Sequence, residues 1–231
     1  MIGITPSLGR SITVPLAVVV MAACSSAGRA TAPTSPYPVA RDQGDSAAIA
    51  RAKADSARYP YTEADVHFMS SMIGHHAQAI EIASLARTHG ANPSVQILAD
   101  RIINSQQDEI ATMQRWLRAR RQPVPEARAA GMKMMMNGIE HEMRMPGMLT
   151  DEQLKQLDKS NGKEFDQLFL TLMIQHHSGA VSMVKELFSS YGAGLDEAVF
   201  KFASDVNVDQ STEIDRMRKM LAELTLGIQL P

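Results

Sequence analysis

One internal repeat limits what this 231-residue chain can fold into more strongly than any other feature. Phe68-Met69-Ser70-Ser71-Met72-Ile73-Gly74-His75-His76 aligns with Phe169-Leu170-Thr171-Leu172-Met173-Ile174-Gln175-His176-His177. Further along, Gln106, Glu109, Ile110 and Met113 align with Gln210, Glu213, Ile214 and Met217. Order, spacing and residue type recur together, so the chain reads as a duplicated helical hairpin.

End signals frame four long helices. Thr62 caps the first, with Glu63 and Asp65 in its opening turn, and Gly90 ends it just past His89. Asn92-Pro93 opens the second, which runs to about Arg120 before Pro123 and Pro125. Thr150 and Gln153 form a capping-box pattern for a short helix. The third long helix spans about Lys163 to Ser190, and the fourth about Asp196 to Leu224. Apolar residues follow helical spacing: Met69, Met72, His76, Ile80 and Ala83 make one seam, and Leu170, Met173, His177, Val181 and Val184 its counterpart. Aromatic residues are only 5% of the chain and methionine occurs 16 times, so the core is aliphatic and thioether-rich. Four such helices, each about 42 Å long at 1.5 Å per residue, predict an all-α, ferritin-like four-helix bundle built from the duplicated hairpin.

Four of the seven histidines occupy equivalent places in the two copies. Adjacent helical residues point about 100° apart, so His75 and His76 do not readily chelate one ion together. Each instead lies three or four residues from Met72, as His176 and His177 do from Met173. A thioether beside an imidazole suits a soft or borderline ion such as copper. Glu109 and Glu213, each three residues after a glutamine, are placed to reach these histidines as ligands or as acceptors for an imidazole N–H. The bland alternative is ordinary core polarity, with buried histidines bonded to glutamates and Met72 and Met173 as packing residues.

A second feature lies between the copies. Met132, Met134, Met135, Met136, Met143, Met145 and Met148 crowd one stretch with His141, and Met145-Pro146-Gly147-Met148 breaks any helix. On an exposed loop, Met134, Met135, Met143, Met145 and Met148 with His141 would make a cuprous site; otherwise these methionines fill a groove. His67 and His89 have no counterparts and read as surface residues.

The N-terminus explains the single cysteine. Arg10 precedes an apolar run from Ile12 to Ala23, too short to span a bilayer, ending in Met21-Ala22-Ala23-Cys24. This is similar to a bacterial lipobox, in which Cys24 would be lipidated and become the first mature residue; an ordinary secretory signal cut near Ala23 is the other reading. Residues 1–23 are thus the signal peptide, 24–60 an Ala/Ser/Pro-rich tether with room for a short polar helix over Ser46 to Arg58, and 61–226 the bundle. Within the bundle the first copy covers 61–121, the Met-rich connector 122–160 and the second copy 161–226.

Asp65-Val66-His67-Phe68-Met69, Met72-Ile73-Gly74-His75-His76-Ala77-Gln78-Ala79-Ile80, Met145-Pro146-Gly147-Met148, Phe165-Asp166-Gln167-Leu168-Phe169 and Met173-Ile174-Gln175-His176-His177-Ser178-Gly179-Ala180 resemble the exported domain-of-unknown-function 305 family. The resemblance runs from about Tyr61 to Leu224. It implies a ferritin-like four-helix fold, and because some members are associated with copper binding or resistance, it implies copper. Gly74 and Gln175 stand where arginine or a similar residue is common in the family.

A formal charge of -2 leaves no basic excess for nucleic acid. No nucleophile triad, phosphate loop or cofactor fingerprint is present. The preferred reading is copper sequestration, buffering or delivery at the cell envelope, without catalysis. His75, His76, His176 and His177 are the principal ligands, Met72 and Met173 soft ligands, and Glu109 and Glu213 supporting acceptors or ligands. The implied partners are a membrane, through the lipid, and a copper donor or acceptor protein. Two rivals stand beside this: a metal-dependent ferritin-like oxidase, and a metal-free envelope scaffold. The oxidase is disfavoured because di-metal carboxylate bundles use Glu-x-x-His, and here methionine stands three residues before each motif.

Overall fold

The computed structural model describes residues 41–58, 60–129, 132–136 and 139–227. The signal sequence and Cys24 lie outside them. Within them the chain forms helices α1 (Arg41–Arg58), α2 (Glu63–Ser84), α3 (Pro93–Ala119), α4 (Asp151–Lys159), α5 (Gly162–Ser189) and α6 (Glu197–Leu226). The fold is all-α and ferritin-like, with four long helices arranged as two hairpins. α2 packs on α3, α5 packs on α6, and the α2–α5 contact joins the hairpins.

Two expectations need correction and one is extended. The first long helix leaves α geometry at Ser84 and tightens into a 3₁₀ turn over Leu85–Arg87 before Gly90, whose φ of 62° reverses the chain. The short polar helix allowed for over Ser46 to Arg58 forms and begins earlier, at Arg41; Ala52 on it is buried, and α1 rests on α3. The connector, read as irregular, holds a two-stranded antiparallel hairpin, β1 (Met132–Met136) with β2 (Ile139–Met143), in which Met134 faces His141 in register.

The caps follow the sequence closely. Thr62 and Thr150 both close capping boxes, with Asp65 and Gln153 respectively. Asn92 accepts from Ser94 N ahead of Pro93, and Asp196 accepts from Ala198 N and Val199 N.

Packing divides the bundle along its length. One apolar core combines Phe68, Met72 and Ile73 of α2 with Met113 and Leu117 of α3, Val184 of α5 and Val206 of α6. The other combines Ile82 of α2, Leu98 and Ile102 of α3, Phe165, Phe169 and Met173 of α5 and Met217 of α6. Each helix contributes one half to each core, and the residues between the halves are His75, His76, Gln106, His176, His177 and Gln210, all buried. A polar layer therefore crosses the bundle at mid-height.

The two hairpins are tied by an exchange of carboxylates. Asp65, at the start of α2, accepts from Gly194 N in the α5–α6 loop at 2.7 Å. Asp166, its repeat counterpart at the start of α5, accepts from Asn92 N in the α2–α3 loop at 3.0 and 3.2 Å. Each copy thus caps the loop of the other, which fixes the axial register of the hairpins and aligns their histidines.

Asp196 adds a further tie. Its buried carboxylate receives Trp116 Nε1 at 3.2 Å and Arg120 Nη2 at 2.5 Å, and the guanidinium stacks 4.4 Å over the Trp116 ring. Replacing Asp196 with alanine removes a cap and strands a guanidinium that is only 5% exposed. The expected loss is about 3–5 kcal/mol of stability, read from urea unfolding. A loss under about 1 kcal/mol would show that the cation–π stack alone holds Arg120.

Candidate metal centre

The polar layer is where the repeated histidines meet. The His75 and His176 rings, one from each copy, lie 3.9 Å apart between centroids. His76 and His177 flank them, at 6.3 and 6.2 Å from their sequence neighbours. All four are fully buried. Outside this row sit the carboxylates foreseen from the repeat: Glu213 Oε2 accepts from His177 Nε2 at 2.7 Å, and Glu109 Oε2 touches His76 Nε2 at 2.5 Å. The second contact is short but lacks hydrogen-bond alignment, so both of its atoms are left without a hydrogen-bond partner.

The tautomers follow from these partners. Pro146 O lies 3.0 Å from His75 Nε2, and a carbonyl can only accept, so Nε2 carries the proton. A neutral imidazole then has its lone pair on Nδ1. Likewise Glu213 accepts the Nε2 proton of His177, so in a neutral ring Nδ1 is the lone-pair nitrogen. Nδ1 is buried and unpartnered on His75, His76, His176 and His177 alike, as are Gln106 Nε2 and Oε1 and Gln210 Oε1. Buried polar atoms are rarely left unpaired, and this layer holds most of those in the described residues.

Burial keeps the central pair neutral. Loss of solvation, then the neighbouring His76, lowers the His75 pKa from 6.5 to about 3. His176 is held well below the ordinary histidine value by burial first and by His75 second. On α6, partial desolvation and then Glu109, Asp205 and Glu213 raise the Asp209 carboxyl. Asp209 thus lies in the field of both layer glutamates, and having no acidic equivalent in the first copy, where Ser105 stands, it carries no repeat signal.

The connector closes over the layer, which the sequence did not reveal. Pro146 and Gly147 lie directly on Gly179 of α5: a Cβ there would sit 2.0 Å from Pro146 O. Gly147 has φ 78°, and a Cβ on it would sit 2.7 Å from Gln175 O. Gln78 of α2 pairs with the Leu149 backbone, donating to its carbonyl at 3.2 Å and accepting from its N–H at 2.8 Å. Gln175 donates to Gly147 O at 3.3 Å. The spacing of Gln78 and Gly179 from the histidines was the available signal, but only the returning connector makes it readable.

The remaining predicted residues separate clearly. Met72 and Met173 are fully buried, one in each apolar core on either side of the layer. Met145 and Met148 are not on an exposed loop: both are buried, and both join the core of Phe68 and Met72, because the Pro-Gly turn points them inward. The side chains of Met134, Met135, His141 and Met143 lie outside the described part of the structure. His67 is exposed, as expected. His89 is not a surface residue: its ring stacks 5.1 Å from Phe165, and Nε2 lies 2.9 Å from Asp158 O. Among the described residues, no three His, Cys, Asp or Glu side chains close on one metal position.

The family model described as domain of unknown function (DUF305) matches residues 65–221. The chain belongs to the DUF305 family. Similar solved structures include a DUF305 protein from Streptomyces coelicolor, 30% identical, with TM-score 0.58 over 70% of this chain and 94% of that one. A DUF305 fragment from Deinococcus radiodurans is 28% identical, with TM-score 0.58 over 71% of this chain and 98% of that one. CopM in its Cu(II)-bound form is 29% identical, with TM-score 0.54 over 69% of this chain and 96% of that one. Comparison with curated proteins gave no match.

The neutral central pair makes a DUF305 bundle of this kind acid-sensitive when metal-free. The unfolded chain takes up protons near pH 6.5, whereas folded His75 does so only near 3. Stability is therefore full above about 6.5 and falls as pH drops. Each such histidine contributes a slope of up to about 1.4 kcal/mol per pH unit, so the pair should cost roughly 2–3 kcal/mol between pH 6 and 5. Urea unfolding in chelator at the two values measures it. Equal stability would mean that the imidazoles are not held neutral.

Proposed function

We propose that this DUF305 protein binds copper at the cell envelope and sequesters, buffers or delivers it without catalysis. The observation that carries the reading is the set of four buried imidazoles whose Nδ1 atoms all lack partners, two of them backed by glutamate. A neutral imidazole with a free lone pair, its other nitrogen held by a carboxylate, is the form in which histidine ligates a metal. His75, His76, His176 and His177 are the ligands in this reading. Met72 and Met173 supply thioethers, and Glu109 and Glu213 orient the outer rings or join the ion. Because no three His, Cys, Asp or Glu side chains converge, pairs of nitrogens completed by neutral donors are the coordination expected, which suits a soft or borderline ion.

Support for copper comes from CopM, structures of which are Cu(II)-bound, Cu(I)-bound and Ag-bound at 29%, 27% and 28% identity. Against the oxidase alternative, Met72 and Met173 occupy the positions where a di-metal bundle carries glutamate. Export rests on the signal-like N-terminus ending at Cys24, and a lipid on Cys24 would hold the protein at the membrane. A donor or acceptor protein for the metal belongs to the same reading.

Changing His76 and His177 to alanine should remove most high-affinity copper binding while the far-ultraviolet helical signal persists. The measurement is copper content after dialysis. Full stoichiometry in the double variant would sink the ligand assignment, and loss of the fold in metal-free buffer would favour the scaffold reading.

The connector methionines give a separate test. Thioethers stay unprotonated at low pH, whereas imidazole ligands are lost below about 6.5. A variant with Met134, Met135, Met143, Met145 and Met148 changed to leucine keeps the apolar volume. Cuprous titration at pH 5 should find less copper in the variant than in the wild type. Equal binding would make the segment a packing element only.

A further inference from the structure

Among the described residues, eight large hydrophobic side chains are exposed, and four of them fall within one short stretch: Phe188, Tyr191, Leu195 and Phe200. They surround the α5–α6 loop. The Phe188 and Phe200 rings pack 5.8 Å apart across the hairpin, and Phe188 lies against Gly194. Tyr191 is fully extended into solvent, at 104% relative exposure, and Leu195 is 57% exposed. An aromatic-aliphatic tip of this kind is unusual on a soluble surface.

The position of the tip says what covers it. Its loop is bonded to the start of α2 through Gly194 N and Asp65, and Gly192 sits beside Thr62, so the tip is at the end where the chain enters the bundle. Ile49, Ala52 and Lys53 of α1 line one cleft with Tyr61 and Arg121 at that same end. Residues 25–40 then join α1 to Cys24, a length that reaches at most about 60 Å. Exposed charges of both signs flank the tip along α5 and α6, Lys185 and Lys201 with Glu186 and Glu197, and Arg121 lies in the cleft at the same end. An oppositely charged protein surface finds no complement there, whereas the headgroup–acyl boundary of a bilayer accepts Tyr, Phe and Leu together.

We propose that the α5–α6 tip, through Phe188, Tyr191, Leu195 and Phe200, is a membrane-interface contact that seats the bundle on the bilayer to which Cys24 anchors it. The inference rests on the export and anchoring reading above. With no charge excess, the contact is carried by apolar insertion and is largely insensitive to ionic strength.

The test uses the full mature chain carrying Cys24→Ser, so that no lipid contributes, and co-flotation with phosphatidylcholine vesicles at low and high salt. Binding should be measurable and change less than about threefold with salt. Tyr191→Asp with Leu195→Asp should lower partitioning at least tenfold. The control pair Ile97→Asp with Leu226→Asp sits at the opposite end of the bundle, 58% and 63% exposed in the wild type, and should leave binding unchanged. Absence of vesicle binding, or equal loss in both pairs, overturns the proposal. So does a concentration-dependent dimer that only the tip pair abolishes, since the tip then covers a second copy. Membrane fractionation of the Cys24→Ser protein from cells tests the anchor separately, because lipid attachment can be right while the vesicle result is negative.

Discussion

Four imidazoles in the middle of a helical bundle carry a desolvation cost that the surrounding structure must offset. Neither apolar core includes them, yet the residues on both sides of the layer are packed to near-zero exposure. For His75 and His176 burial selects the neutral form, and a neutral imidazole presents a lone pair. The same constraint therefore produces the acid sensitivity expected of the metal-free bundle and, in the proposed function, the lone pairs offered to a metal. Where a carboxylate reaches the layer, it does so from a residue that keeps some solvent contact: Glu109 and Glu213 are 17% and 20% exposed. A charge placed at the edge costs less than one at the centre, and it still orients the ring it touches.

Registry follows from the same need. A layer assembled from two hairpins works only if their heights match, and a slip of one helical turn, about 5.4 Å, would put histidines against apolar residues such as Met173 and Ala180. The reciprocal contacts of Asp65 with Gly194 and Asp166 with Asn92 prevent that slip from opposite ends of the bundle. Asp196 reinforces one end by joining α3 to α6 through Trp116 and Arg120. Directional hydrogen bonds suit this task because dispersion between aliphatic side chains discriminates poorly between adjacent registers.

The connector breaks the two-fold pattern and gives the layer a front and a back. Pro146 O occupies one nitrogen of His75 alone, and Gly179 has the space for that approach only because it lacks a Cβ. His176, the pseudo-equivalent ring, has no partner on either nitrogen. The two copies are therefore chemically distinct despite their shared motif. Met145 and Met148 enter the core beside Met72, bringing thioethers within the half of the bundle adjoining this side of the layer.

Much of this was legible in the amino-acid order. The repeat determined the two-hairpin bundle, because matched apolar seams at helical spacing have few other ways to be buried. It also pointed to Glu109 and Glu213 as carboxylates within reach of the histidines, and local signals gave the caps at Thr62, Asn92 and Thr150, since these depend on neighbours within four residues. The placement of His89 against Phe165, the burial of Met145 and Met148, and the roles of Gln78 and Gly179 were decided only by tertiary structure. Each arises from a contact with a segment distant along the chain, as with Gln78 and Leu149, which are 71 residues apart. Local propensity is blind to such partners. A glycine becomes an essential gap, and a Pro-Gly turn becomes a lid, only once another segment of chain lies against it.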